Sequence, residues 1–490
     1  MNSTFDPATL TLYREALRPA FASGQLFEFE FSSLDHLNIP LWTTALIGED
    51  GALSDGFGYG PSLAYAQTSA YGETLEWFWT REALKFAPRR RGTFARLCRE
   101  VACLNPISCN LQAGSDYSPN TTELEWVEVT RHPDGEKRWI PIEFVAPRYA
   151  DIEANADKSR FVSVPITNGS GAGPTFEHAL AHGILELLQR DGNSVSYRAL
   201  DQGIAIELDD VRDPQTRELL AHLERENIEV IVKLAALDFG MANLYVVGYD
   251  RNPSDALSPI SLSACGEAVH PDREFALAKA LREFVMARSR KAFNHGRDLA
   301  PVRAIAPEGY LESFRPSSMR SEDDRALREM QGWMNLSHQQ FFEMLRDPVF
   351  ETRETVRFSD LPHTNVASAQ ARLDVLTERL NVQGLEIYYF DATLPNSPVR
   401  VLKTIVPGLE VETMTYERVG NGNLKRLLKR ASSLVGQDEA PPNAKPIRLV
   451  GTDDKRLWFD SSERERIVGK LYPLYREPGR HVIGFLEEQN

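Results

Sequence analysis

Hydrophobic and polar residues alternate over several short stretches of this chain, which is the pattern of β-strands with one buried face. Helical periodicity fills most of the segments between them, and it also covers about the first 35 residues. This succession of strands and helices predicts a mixed α+β protein. The predicted strands are 124–129, 138–145, 161–166, 228–237, 243–249 and 384–392, with a strand, polar turn and glycine-rich loop at 39–60 and a late strand at 399–410.

The pattern changes between residues 301 and 365, where charged helical segments occur and no strand is predicted. We interpret this region as a helical insertion into a core formed by 36–300 and 366–436. Residues 1–35 are a leading helical segment in this interpretation. Residues 437–490 are a proline-interrupted linker followed by a tail.

A sequence repeat marks three of the predicted helices. The copies read GYGPSLAYAQTSAYGE, GAGPTFEHALAHGILE and PDREFALAKALRE. In each copy a proline lies twelve positions before a glutamate, with an alanine five positions and a small residue nine positions after the proline. The proline and glutamate pairs are Pro61 and Glu73, Pro174 and Glu186, and Pro271 and Glu283.

Each copy is typical of a tight turn from a strand into a helix. Proline suits the first helical turn, and Gly60 and Gly173 relax the backbone just before it. The small residues keep one face of the helix thin, so that it can approach a neighbouring element closely. The glutamate lies three turns from the favourable N-terminal end of the helix dipole, so we expect it to meet a positive charge.

Polar side chains gather on a single face of two of these helices, at i, i+4 and i+7 in the first and at i, i+3 and i+4 in the second. They are Ser69, Glu73 and Glu76 in the first helix and Glu186, Gln189 and Arg190 in the second. Acidic groups that share a face repel unless a cation joins them, and oxygen ligands favour Mg²⁺, which usually brings substrate phosphates. The competing interpretations are a solvated surface and a purely architectural symmetry.

The charge balance argues against a general nucleic-acid surface, because 55 Lys and Arg stand against 70 Asp and Glu, a formal net charge of -15. No apolar run approaches the ~20 residues of a membrane-spanning helix, and the first residues lack a signal-peptide pattern. The four cysteines form no CxxC pair. We therefore expect a cytoplasmic protein that binds neither nucleic acid nor membranes.

Two other kinds of site are disfavoured. His178, His182 and Glu186 have the i, i+4, i+8 spacing of a zinc site, but no further ligand cluster accompanies them and the repeat assigns Glu186 elsewhere. GFGYG and GSGAG complete no GxGxxG dinucleotide motif, and the chain contains no GxxxxGK[ST] phosphate loop.

Together these motifs resemble the YcaO family, which activates peptide backbone amides with ATP. The family's SxxxExxER motif is similar to SAYGETLEW at 69–77, and its ExxERD motif is similar to ELLQRD, which follows NGSGAGPT. Its ALxEAxQxR motif looks like ALREFVMAR, and TIVPGLE at 404–410 matches its late strand and turn. The matches run in the family's order from about residue 36 to 425.

The resemblance implies a fold, cofactors and site residues. In this fold three pseudo-repeated strand–Gly/Pro turn–helix units converge on one nucleotide site, where ATP is bound with Mg²⁺. The implied metal ligands are Glu73, Glu76, Glu186 and Gln189, and the implied nucleotide contacts are Ser69, Asn168, Arg190, Glu283 and Arg288. Helical geometry offers Arg290, at i+7 from Glu283, as an alternative to Arg288. No catalytic acid or base is identified.

Several positions depart from the family pattern. Gln189 replaces a glutamate, and an amide binds a cation more weakly than a carboxylate. Binding of one metal ion and binding of two are therefore both possible. Lys403 stands where arginine is frequent, and Tyr59 replaces the lysine of a GKG loop. Met286 and Trp77 replace a glutamine and an arginine. These departures keep open a non-catalytic YcaO-like subunit that binds a peptide or a partner protein.

The resemblance implies ATP- and Mg²⁺-dependent O-phosphorylation of a peptide backbone amide, giving a thioamide or azoline in a ribosomally made peptide or protein. Azoline-forming members share a proline-rich C-terminus, whereas this chain ends in REPGRHVIGFLEEQN. That difference favours thioamide-type or uncharacterised chemistry, for which a TfuA-type partner protein is expected by resemblance. A homodimer and an ATP-dependent ligase for small molecules stay open.

Overall fold

The computed structural model describes residues 7–22, 24–49, 51–153, 162–194, 200–314, 324–411, 419–437, 439–450 and 457–488. The chain forms two compact units. Unit 1 comprises Met1–Leu75, Arg198–Val366 and Lys470–Asn490. Unit 2 comprises Glu76–Tyr197 and Ala367–Gly469.

Two sheets form the framework of unit 1. The first contains β1 (Gly24–Glu30), β2 (Leu41–Gly48) and β3 (Leu53–Tyr59), antiparallel and in that order. The strands of the second sheet are β8 (Ile204–Glu207), β9 (Ile228–Ala236), β10 (Ala242–Asp250), β11 (Cys265–His270) and β12 (Glu354–Arg357). Their order is β11-β10-β9-β8-β12, and β12 lies parallel to β8.

The helices of unit 1 are α1 (Pro7–Leu17), the first half of α2 (Leu63–Phe86), α5 (Pro214–Arg225), α6 (Arg273–His295), α7 (Ala300–Ile305), α8 (Asp324–Met334), α9 (His338–Leu345) and α13 (Val482–Glu488). The core lies between α6 and the five-stranded sheet, where Leu244, Leu281 and Phe284 are buried together. The end of α6 carries Phe293 against Phe57 of β3. α6 therefore packs against both sheets of this unit.

A six-stranded sheet forms the framework of unit 2. Its strands are β4 (Arg89–Gly92), β5 (Leu124–His132), β6 (Lys137–Pro141), β7 (Ser170–Gly173), β13 (Ile387–Asp391) and β14 (Arg400–Ile405). The order is β4-β5-β13-β14-β7, with β6 also paired to β5. A small sheet has the order β15-β17-β16, formed by β15 (Val435–Gly436), β16 (Ala444–Pro446) and β17 (Trp458–Asp460).

The helices of unit 2 are the second half of α2, α3 (Phe94–Leu97), α4 (Phe176–Asn193), α10 (Ala369–Val382), α11 (Asn421–Lys429) and α12 (Ser461–Val468). α4 begins at an N-cap where the Thr175 hydroxyl accepts the His178 N–H. It lies against β7 and β14. The Gly-rich segment before α4 thus forms β7, the edge strand of this sheet, against the helix.

The mixed class predicted from the sequence is confirmed, and several segments differ from their predicted structure. The predicted glycine-rich loop largely belongs to β3, and the predicted linker and tail contain β16, β17, α12 and α13. Residues 24–30 of the leading segment form β1, where Phe27 and Phe29 alternate with polar positions and bury one face. The segment 301–365 contains β12 beside its helices. Residues 162–166 are irregular, and Phe161 lies outside the described residues. The predicted five-part division of the chain stays a prediction.

The described residues include no helix that is both long enough and apolar enough to span a bilayer.

Candidate functional site

Each of the three repeated sequences runs from a strand into a helix, β3 into α2, β7 into α4 and β11 into α6. The helix lies so close to its strand that a side chain on the strand glycine has no room. A Cβ atom would lie 1.7 Å from the Ala66 oxygen at Gly58, 2.2 Å from the Ala179 oxygen at Gly171 and 2.0 Å from the Ala280 oxygen at Gly266. The small residues of the repeat thus permit backbone-to-backbone contact. A threefold structural symmetry stays a prediction.

In unit 1, two repeat glutamates are bound to the same strand. Glu73 accepts the Phe57 N–H through Oε2 at 2.7 Å. The Tyr59 hydroxyl, two residues along β3, donates to Glu283 Oε2 at 2.8 Å. Desolvation, followed by the charges of Glu283 and Glu73 among other neighbours, raises the pKa of Tyr59 well above its usual value. Tyr59 therefore stays a hydrogen-bond donor at neutral pH.

In unit 2, the other two glutamates are bound to the segment at β7. Glu76 accepts the Ala172 N–H at 2.7 Å, and Glu186 accepts the Gly169 N–H at 2.9 Å. Both carboxylates are only partly buried. Each carboxylate is therefore oriented in part by a backbone N–H, and a carboxylate can accept more than one bond.

A buried lysine supplies the positive charge beside this pair. Lys403 on β14 donates to the backbone oxygens of Ile166 and Asn168. Burial lowers the pKa of Lys403 to about 8, while the charges of Glu186 and Glu76 act to raise it. The charge of Lys403 therefore acts on both Glu186 and Glu76.

The remaining predicted residues of unit 2 cluster on and beside α4. Arg190 lies 3.6 Å from Glu186, one helical turn away, with its side chain 30% exposed. Gln189 is buried, with 4% of its surface exposed. Asn168 is buried and its amide nitrogen donates to the Val411 oxygen.

Ser69, in unit 1, is half-buried on α2.

Arg288 and Arg290 have different environments on α6. Arg288 is 1% exposed, and its guanidinium donates to Asp35 at 3.0 Å and to Asp250 at 2.9 Å. Arg290 is partly exposed and lies over the ring of Phe57, 5.9 Å from its centroid. The alternative residue, Arg290, is thus the one that lies beside the strand that binds Glu73. The role of Arg288 as a nucleotide contact stays a prediction.

The donor atoms of the described residues decide which metal ions this site suits. Among the described residues no group of three or more His, Cys, Asp or Glu forms a self-sufficient metal site, so the disfavoured zinc site gains no support. Burial and the charge of Arg372 lower the pKa of His178 to about 4. A Mg²⁺ site needs fewer protein ligands than a zinc site, because Mg²⁺ usually binds one or two carboxylates together with substrate phosphates. The carboxylates of Glu73, Glu76 and Glu186 are donors of that kind.

Two features of this site escaped the sequence analysis. The first is a glycine that lies five positions before each repeat proline, at Gly56, Gly169 and Gly266. This spacing is visible in the sequence itself. Glu143 was not identified, although its carboxyl group is buried near Lys403. No local pattern distinguishes Glu143, because its partners are distant along the chain.

Comparison with known proteins places these motifs in a family. The family model described as YcaO cyclodehydratase, binding ATP and Mg²⁺, matches residues 57–410. An uncharacterized protein from Methanothermobacter thermautotrophicus is 27% identical over 393 residues, which cover 80% of this chain and 91% of that protein.

Solved structures show the same fold. YcaO from Methanopyrus kandleri, bound with AMPPCP and Mg²⁺, is 22% identical with a TM-score of 0.57, and the match covers 84% of this chain and 93% of that one. A heterocyclase in complex with substrate and cofactor is 16% identical with a TM-score of 0.61, covering 86% of this chain and 54% of that one. This chain spans about half the length of that heterocyclase. Because the family model covers most of the chain, the protein belongs to the YcaO cyclodehydratase family of ATP-dependent enzymes, whose cofactors are ATP and Mg²⁺.

Proposed function

We propose that this protein activates a peptide backbone amide by O-phosphorylation, giving a thioamide or an azoline in a ribosomally made peptide or protein. The observation that carries the proposal is that Glu73, Glu76 and Glu186 each accept a backbone N–H within the segment matched by the family model.

Under this proposal Glu73, Glu76, Glu186 and Gln189 bind Mg²⁺, and Ser69, Asn168, Arg190, Glu283 and Arg288 or Arg290 contact ATP. When bound, ATP supplies the phosphoryl group that makes the amide oxygen a leaving group, and Mg²⁺ neutralises the phosphate charge. The chain's own contribution is positioning. The backbone N–H groups fix the carboxylates, and Arg190, next to Glu186 on α4, supplies a cation for phosphate.

Two observations favour a second candidate, a non-catalytic subunit that binds a peptide or partner. Gln189 is buried, and the Tyr59 hydroxyl occupies one acceptor position of Glu283. Both changes would weaken a metal or nucleotide contact without altering the fold.

A TfuA-type partner, a homodimer and a cytoplasmic location belong to the main proposal.

Calorimetric titration with AMPPCP and Mg²⁺ tests the proposal. We expect the wild type to bind, and E73Q and E186Q to lose about tenfold or more in affinity, since each removes a charged ligand. E229Q is the matched control, because Glu229 pairs only with Arg251 on an exposed face among the described residues. No binding at millimolar AMPPCP would end the proposal. Binding without peptide modification, in the presence of a sulfide donor and a cognate peptide, would favour the non-catalytic subunit.

A further inference from the structure

The irregular segment 162–168, which leads into β7, is held by two buried ionisable side chains from opposite ends. At its start, Glu143 accepts the Ser163 N–H at 2.6 Å and a bond from the Val162 backbone. At its end, Lys403 donates to the oxygens of Ile166 and Asn168. Neither side chain comes from the segment itself.

This segment ends at two groups of the proposed nucleotide site. Asn168 is its last residue, and the next N–H, that of Gly169, is the one that Glu186 accepts. The Gly169 oxygen in turn accepts the Thr404 N–H at 2.7 Å, next to Lys403 on β14. A shift of the segment would therefore move the backbone group that orients Glu186.

Glu143, Ser163, Asn168 and Lys403 line one small cavity, whose remaining walls are largely apolar. Glu143 is 3% and Lys403 2% exposed. The cavity volume is about 10 Å³, which holds about one water molecule and no larger ligand. A peptide or a nucleotide cannot enter, so Glu143 cannot touch a substrate there and can act only through the segment that it binds.

The protonation state of Glu143 supports a role in holding the segment. Burial raises the pKa of Glu143 to about 8, although the two backbone N–H bonds act to lower it. At pH 7 the group is then mainly a neutral carboxylic acid, for which glutamine is a close mimic. The Ser163 hydroxyl in the same cavity has no hydrogen-bond partner among the described residues, so the Ser163 N–H is the group through which this residue is held.

We propose that Glu143 and Lys403 are positioning residues for the nucleotide site, because they fix residues 162–168 from two sides and thereby set Asn168 and the N–H that orients Glu186. This inference rests on the proposed function, since it assigns Asn168 and Glu186 to nucleotide binding. It goes beyond that function by naming two residues that act without contacting ATP, Mg²⁺ or peptide.

The test compares E143A, E143Q, K403M and K403R by calorimetric titration with AMPPCP and Mg²⁺. We expect E143A and K403M to lose about tenfold in affinity, because each leaves buried backbone groups unpaired. E143Q and K403R keep an acceptor and donors at the same places, and we expect them to stay within about threefold of the wild type. S163A is the control, since it keeps the N–H and removes only the unpartnered hydroxyl.

Hydrogen exchange of peptides covering 162–169, measured without nucleotide, is the second readout. We expect faster exchange in E143A and K403M and wild-type exchange in E143Q, K403R and S163A. A purely structural role would lower the melting temperature of E143A while its affinity stayed at the wild-type value, and that result would overturn the inference. If E143A does not fold, K403M and K403R decide between the two outcomes.

The failure of this inference is distinguishable from failure of the proposed function. Loss of binding in E186Q with wild-type binding in both E143A and K403M would overturn the inference and leave the function standing. Wild-type binding in E186Q would remove Glu186 from the nucleotide site and overturn the inference, whereas the proposed function falls only if the wild type itself does not bind AMPPCP.

Discussion

The Tyr59 hydroxyl donates to Glu283 at 2.8 Å, joining residues that are 224 positions apart in sequence. Tyr59 stands in the glycine-rich turn of the first repeat and Glu283 on the helix of the third. A tyrosine that looked like a departure from the family pattern thus has a defined partner. It orients a carboxylate that we assign to ATP binding.

Y59F should weaken nucleotide binding by about two- to tenfold, the effect of removing one hydrogen bond to a charged group. Calorimetric titration with AMPPCP and Mg²⁺ measures this change. Y388F is the control, because the Tyr388 hydroxyl donates to Glu386 at 2.6 Å and neither residue is assigned to the nucleotide site. Tighter binding by Y59F would show instead that the hydroxyl competes with the nucleotide for Glu283.

G58A should lower the melting temperature, since its Cβ would lie 1.7 Å from the Ala66 oxygen and only backbone movement could relieve the clash. Overpacking of this kind costs about 1–3 kcal/mol or more. G332A is the opposite case, because Gly332 lies in α8 with no atom within 4 Å of the added group. The free energy of unfolding of G332A should rise by about 0.5–1 kcal/mol. Equal melting temperatures for the two variants would contradict the close contact.

The stability of the wild type relative to E143Q should fall as the pH rises from about 5 to 8. The pKa of Glu143 is about 8 in the folded protein, above the ordinary glutamate value of 4.5, so in this window the unfolded chain releases a proton that the folded chain retains. The folded state then loses at most about 1.4 kcal/mol per pH unit. Melting temperatures of both proteins between pH 5 and 9 measure the difference. A difference that is constant over this range would show that Glu143 titrates normally.

R288M and R290M should separate stability from binding. R288M leaves the buried carboxylates of Asp35 and Asp250 without their cation and should cost about 3–5 kcal/mol of stability. R290M removes a partly exposed cation that lies over Phe57 and pairs with Glu477 at 3.5 Å, and it should reduce nucleotide affinity while lowering the melting temperature less than R288M does. Melting and titration of both variants test this division. Retained stability in R288M together with lost binding would restore Arg288 as the nucleotide contact.

The sequence predicted the repeat helices and their glutamates because each copy is a local pattern that depends on residues within about twenty positions. β1 was missed although LFEFE alternates as a strand should, since the neighbouring helical periodicity was extended over it. The segment 162–166 was predicted as a strand from its apolar residues. Pro165 lacks an N–H, and side chains of Glu143 and Lys403 bind other backbone groups of this segment.

Long-range partners set the limit of prediction at the site. The bond between Tyr59 and Glu283, and the bonds of Lys403 to a segment about 235 residues earlier, depend on tertiary structure alone. The preference for Arg288 over Arg290 came from motif alignment, while helical geometry offered Arg290. The buried pairs of Arg288 with Asp35 and Asp250 are invisible in any local window.

The direct contact of Gly58, Gly171 and Gly266 with helix backbones has a consequence for how such a site can change over evolution. Main-chain atoms have no rotamers, so the separation of strand and helix does not depend on which functional groups the helix displays. Under the proposed function, a glutamine in place of a glutamate at position 189 alters ligand strength while the scaffold keeps its dimensions. A lineage could retune or abandon its chemistry one side chain at a time without refolding the frame beneath it.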